Sequence, residues 1–138
     1  MHYSYELTVS TSDTASDPQV YHIKLSSGIL KEMQTLFEVG DGYSSCITLW
    51  NRGKQLLPTN PDGFFTGDGI SVFSPIYYNL DADDNDLYIV AWNRGGVYDH
   101  SVNIMLSVQE SNEPDVIGIM KLMNDTIDRL ITLCKEFI

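Results

Sequence analysis

The chain has 138 residues, 43% of them hydrophobic, with 19 acidic against 8 basic side chains and a net charge of −11. That is enough for one cored domain and an appendage, and too little for a second domain. The acidic balance argues against a polyanion partner such as nucleic acid, which requires a basic face to displace counterions.

The N-terminal MHYSYELTVS has no basic stretch followed by an apolar run, so the expectation is synthesis in the cytoplasm without a signal peptide. Residues 3–10 alternate, with Tyr3, Tyr5, Leu7 and Val9 on one side, the pattern of a half-buried strand. A turn-rich loop at 11–18 leads to a second strand over 20–25. Residues 29–39 place Ile29, Met33, Phe37 and Val39 on one face at period two, and read as a strand despite fair helix propensity. Strands follow at 46–51, 70–74, 76–80, 87–92 and 101–108, and 52–69 is the longest irregular stretch. Seven or eight short strands at this spacing predict an antiparallel β-sandwich, jelly-roll or immunoglobulin-like, over residues 1–109.

The loop Leu56-Leu57-Pro58-Thr59-Asn60-Pro61-Asp62-Gly63-Phe64-Phe65 combines two prolines, two turn signals and two adjacent aromatics. Preorganised aromatic loops make good contact sites because docking orders little. Pro58, Asn60, Pro61, Phe64 and Phe65 are therefore candidate contact residues, with the competing expectation that at least one phenylalanine closes an end of the sandwich. The tetrapeptide Trp-Asn-Arg-Gly occurs twice, at 50–53 and 92–95. Each copy reads as a strand ending in a buried aromatic and then turning, and its functional reading is a pair of arginines, Arg52 and Arg94, at one end of the sandwich.

Asp81, Asp83, Asp84 and Asp86, with Asn85, form the densest oxygen cluster. Calcium takes about six to eight oxygens, but the EF-hand spacing is absent, so a solvated acidic turn is the first expectation and a calcium site the second. No nucleophile elbow, P-loop, dinucleotide fingerprint or zincin motif occurs. His2, His22 and His100 lack metal spacing, Asp99 and His100 would point to opposite faces of a strand, and Cys46 and Cys134 lack the spacing of a metal or redox pair. The expectation is a protein with neither enzymatic activity nor cofactor, and with no disulfide.

Residues 110–138 form a separate element, hinged at 109–113. Val116, Met120, Met123, Ile127, Leu130, Cys134 and Phe137 repeat at alternating spacings of four and three, a coiled-coil seam. Ile117, Ile131 and Ile138, with Ile119 and Leu133, widen the stripe, which suits a trimer or larger bundle better than a dimer. The competing arrangement, in which the helix folds back on its own sandwich, also suits a wide stripe. Asn112 or Glu113 would cap the helix, Pro114 suits its first turn, and Asp115 favours the dipole. Charged residues from Asp115 to Glu136 interrupt the segment too often for a membrane span. Residues 114–138 hold three basic and four acidic side chains, a net −1, so −10 of the −11 lies on residues 1–113.

The segments Tyr5-Glu6-Leu7-Thr8-Val9 with Thr11-Ser12-Asp13-Thr14-Ala15-Ser16, Leu57-Pro58-Thr59-Asn60-Pro61-Asp62-Gly63, and Trp92-Asn93 followed by Tyr98-Asp99-His100 resemble small β-sandwich proteins encoded among virion structural genes of tailed phages and related viruses. The likeness covers most of residues 3–108 and leaves out the C-terminal helix. It implies a structural component of a particle (a capsid decoration, neck or fibre-type subunit), made in the host cytoplasm and partnered by copies of itself or other virion proteins. It supplies no catalytic residue. The alternative is a module binding a host surface or carbohydrate through the 56–69 loop.

Overall fold

The computed structural model describes residues 1–81, 85–110 and 116–136, the side chains of 116–122 and 136 excepted. Eight strands, β1 (His2–Val9), β2 (Gln19–Lys24), β3 (Gly28–Phe37), β4 (Ser45–Asn51), β5 (Lys54–Leu57), β6 (Ser71–Leu80), β7 (Asp86–Asn93) and β8 (His100–Glu110), precede one helix, α1 (Val116–Glu136). The strands form two four-stranded sheets, ordered β1-β8-β3-β6 and β2-β7-β4-β5, with every neighbouring pair antiparallel. The first strand pairs with the last, the second with the next to last, the third with the sixth and the fourth with the fifth. This nesting, alternating between two sheets, is the order of a jelly roll rather than of an immunoglobulin sandwich.

Alternation explains which residues meet between the sheets. Leu7 and Val9 of β1, Met33 and Phe37 of β3, and Val102, Ile104 and Leu106 of β8 point inward from one sheet. Ile23, Ile47, Leu49, Leu87 and Ile89 answer from the other. The pleat puts successive side chains on opposite faces, so each strand needs only every second residue apolar.

Three expectations change. Ile29 and Val39 do not share the buried face of Met33 and Phe37. The register slips between Leu30 and Glu32 on both sides of β3, so Leu30 is buried and Ile29 exposed. A bulge shifts the phase of the pleat by one residue, which a strict period of two does not foresee. Val39 lies beyond the strand and is 88% exposed. The two strands expected at 70–74 and 76–80 are one, β6, running through Pro75. Pro75 is tolerated because β6 is a sheet edge, where a missing N–H leaves no ladder bond unmade on the open side.

The third change is β5, inside the stretch read as irregular. Arg52 (φ 48°) and Gly53 (φ 77°) make the two-residue turn that joins it to β4. Two successive positive φ values match the right-handed twist of a hairpin. Within the 110–138 element expected, the helix is described over 21 residues, Val116 to Glu136. The capping residues expected at 112–115 lie outside the described residues.

Leu49 is fully buried between the sheets. Leu49→Ala should cost about 2–5 kcal/mol in urea unfolding, whereas Val39→Ser should stay within about 0.5 kcal/mol of the parent.

Candidate functional site

The outer face of the β2-β7-β4-β5 sheet carries a cleft. Cys46, Thr48 and Trp50 alternate outward on β4, opposite Trp92, Val90 and Tyr88 of β7 in register. Thr48 and Val90 form the floor, with Trp92 in the row beyond one end and Trp50 in the row beyond the other. Gln55, Pro61, Asp62 and Gly63 wall one side and Ala15 and Pro18 the other, enclosing about 270 Å³.

The 56–65 loop is held at both ends by β4. Leu57 pairs with Leu49, and Phe65 exchanges two backbone hydrogen bonds of 2.9 Å with Ile47, so the intervening residues loop out and return to the same strand. Within the loop the Gln55 Nε2 amide donates to the carbonyls of Pro58 (2.8 Å), Asn60 (3.2 Å) and Gly63 (3.1 Å). The two N–H groups of this amide, one of them shared between two acceptors, thereby serve three loop carbonyls that would otherwise turn to water. The Leu57–Pro58 peptide is cis. Gly63 donates 2.9 Å to the Asn60 carbonyl, and its Cα lies so close to the Asn60 side chain that a Cβ would collide with it.

The tryptophans are fixed in turn. Trp50 Nε1 donates 2.8 Å to Thr48 Oγ1, which donates onward to the Val90 carbonyl at 3.3 Å. Phe64 meets Trp92 edge to face at 5.6 Å between centroids, and the Arg94 guanidinium lies 5.2 Å over the Phe64 ring while its Nε donates 2.8 Å to the Tyr43 carbonyl. Beyond Trp50 the row continues through its register partner Tyr88 to His22, whose ring stacks on Tyr88 at 5.0 Å and whose Nε2 lies 2.9 Å from Asp86 Oδ1.

These placements rearrange the expected site. Pro61 lines the cleft, Pro58 and Asn60 shape the loop, Phe64 buttresses Trp92, and Phe65 belongs to the core margin. The tryptophans are not interior residues. Each shares the outward parity of Thr48 or Val90, a signal present in the alternation of Cys46-Ile47-Thr48-Leu49-Trp50. Nor do the two arginines share an end. β4 and β7 are antiparallel, with Ser45 opposite Asn93 and Trp50 opposite Tyr88, so Arg52 and Arg94 follow opposite ends of the pair, roughly 27 Å apart along the strands at about 3.4 Å per residue. Duplicated turns also differ. Asn51 donates to Tyr78 Oη at 2.8 Å, while Asn93 Oδ1 accepts from the amides of Gly95 and Gly96.

Of the acidic cluster, Asp83 and Asp84 lie outside the described residues, Asp86 is engaged by His22, and the Asn85 amide donates to the Leu25 carbonyl. Among the described residues no three His, Cys, Asp or Glu side chains come together. Asp99 accepts from the Thr11 amide and His100 Nδ1 lies 2.8 Å from Glu38 Oε1, so the neighbours serve different partners. Of the helix seam, Val116, Met120 and Phe137 have no described side chain, and Met123, Ile127, Leu130, Ile131 and Cys134 are all exposed. Among the described residues no helix is long and apolar enough to cross a membrane.

Cys46 lies beside Trp92 in register, fully buried. Burial pushes its thiol from 9.0 up to about 11, with Arg94 opposing and Asp41 adding to the rise. The folded chain keeps this proton where the unfolded chain releases it, so the stabilisation is whole below the unfolded value and is lost as pH rises towards about 11. Two measurements follow from this geometry. Urea midpoints should fall less steeply between pH 9 and 11 for Cys46→Ala than for the parent, Tyr5 and Tyr21 supplying what slope remains. Gln55→Ala should speed amide exchange at the 56–65 loop about tenfold or more, equivalent to about 1–3 kcal/mol, while the β7 and β8 amides stay protected.

No protein-family model matches the chain, and no curated protein matches it in sequence. Solved structures similar to it include the pre-peptidase C-terminal domain of a collagenase from Bacillus anthracis, at 9% identity over 75% of this chain and 89% of that one, with a TM-score of 0.46. A Bacillus endospore appendage, one of a family of disulfide-linked pili, is similar at 10% identity over 80% and 87%, TM-score 0.46. The VP2 subviral particle of infectious bursal disease virus is similar at 12% identity over 82% of this chain and 34% of that one, TM-score 0.33. At these values none of the three assigns a function to the chain.

Proposed function

We propose that this chain is a non-enzymatic structural protein of a virus particle, a decoration, neck or fibre-type subunit, that assembles through α1 into a trimer or larger bundle. The observation that carries the assembly is the state of the helix. Every described side chain from 123 to 135 is exposed, and Met123, Ile127, Leu130, Ile131 and Leu133 stand between 48% and 59% open to water. Folding back would cover them; a single chain does not. Full burial of such a side chain is worth about 1.5–3 kcal/mol, so even half of that for each gives several kcal/mol per helix towards association. The particle assignment is supported by the resemblance of residues 3–108 to virion-encoded sandwich proteins, and the helix lies outside that resemblance.

Light scattering should return a trimer or larger species for the full chain and a soluble monomer for a chain ending at Glu113. Ile127→Asp with Leu130→Asp should give the same monomer with an unchanged β-sheet spectrum. A full chain that stays monomeric at about 100 µM, a concentration that saturates any micromolar association, would remove the assembly reading.

A further inference from the structure

Both tryptophans of the chain stand at one cleft, and we propose that this cleft binds a neutral oligosaccharide. The proposal concerns the outer face of the β2-β7-β4-β5 sheet and uses nothing of the helix, so it and the assembly reading fail separately.

Size is the first constraint. About 270 Å³ falls just below the range of about 300–1,000 Å³ that holds a drug-sized ligand, and is too small for a helix or a folded surface. Spacing is the second. Trp92 and Trp50 are two rows of the pleat either side of Thr48 and Val90, about 13 Å apart along the strands. A single cation must sit within about 6 Å of a ring centroid, so it would engage one indole and not both. An extended ligand with successive flat faces spans the pair. The row then runs on to Tyr88 and His22, which lengthens the platform past Trp50.

Polarity is the third constraint. Among the described residues that line the cleft none is basic, and Asp62 places a carboxylate on its wall. Phosphate, sulfate and uronic acids are thereby disfavoured. Gln55 commits its amide nitrogen to the loop carbonyls, so what it offers a ligand is the acceptor oxygen Oε1. A neutral sugar has the matching chemistry: C–H faces for indole rings and hydroxyl donors for a carboxylate and an amide oxygen. Thr48 already occupies the Trp50 N–H, so the surface left to this indole is its apolar ring. Preorganisation is the last point. Gln55 fixes the wall and Phe64 under Arg94 braces Trp92, so a ligand orders little on arrival.

The test is titration of the full chain with cello-, malto-, laminari-, xylo- and chito-oligosaccharides, from disaccharide to hexasaccharide, followed by tryptophan fluorescence and calorimetry. At least one series should saturate with a dissociation constant of about 10 µM to 1 mM, tightening with length until Tyr88 is covered. Trp50→Ala and Trp92→Ala should each weaken binding about tenfold or more. Asp62→Asn, on an exposed loop where folding is not at stake, should weaken it about threefold or more at the same β-sheet spectrum. Phe73→Ala, on the outer face of the other sheet, should leave it unchanged. The proposal is overturned if no series gives a saturable signal with the folded chain, or if Asp62→Asn binds as the parent does. Saturation by a proline-rich peptide or by tetramethylammonium, with every sugar silent, would overturn it as well.

Discussion

The pairing of the first strand with the last closes this molecule. β8 lies between β1 and β3, and its inward residues Val102, Ile104 and Leu106 are wholly buried. The pairing reaches from His2 opposite Ser107 to Val9 opposite His100, and the Met1 ammonium adds a 2.7 Å bond to the Val108 carbonyl. Such contacts join residues far apart in sequence, so the entropy of closing the chain must be met before any of the core is dry. The same nested antiparallel order lays β4 beside β7, so two tryptophans more than forty residues apart share one face.

Much of this was legible from period-two patterning. β1 follows an unbroken alternation, and its buried face is the one the residues predict. Failures cluster where the pleat is locally disturbed. The slip at Leu30/Glu32 exchanges Ile29 for Leu30 in the core, and nothing in the local composition marks it. Pro75 looks like an interruption because edge position is a property of the sheet and not of the residue. β5 is four residues long, too brief to show a period. Its turn is announced only by Arg-Gly, a weaker signal than Asn-Gly.

The candidate site was half legible, for a related reason. Proline, turn chemistry and the phenylalanines single out the 56–65 loop, whose carbonyls Gln55 holds. They do not say that its ends return to one strand, which makes the loop a wall and sends Phe64 and Phe65 into supporting positions. The repeated Trp-Asn-Arg-Gly drew attention to its arginines through proximity in sequence. Antiparallel pairing reverses that logic, separating the arginines and bringing the indoles onto one surface. The proposed site on each sandwich and the proposed assembly through the helix would be complementary, since linked copies convert modest single-site affinity into a much tighter grip.

The Arg52-Gly53 turn bears on the order in which the chain takes shape. Among the described residues β4 and β5 are the only consecutive strands that pair with each other, so every other pairing closes a longer loop. The least costly beginning is this hairpin, with β3–β6, β2–β7 and β1–β8 added outward around it. On a ribosome the last of these must await Glu110, and α1 is translated only afterwards. The exposed apolar helix is therefore made when the rest is ready to close, which shortens the time an unfinished sandwich spends beside it.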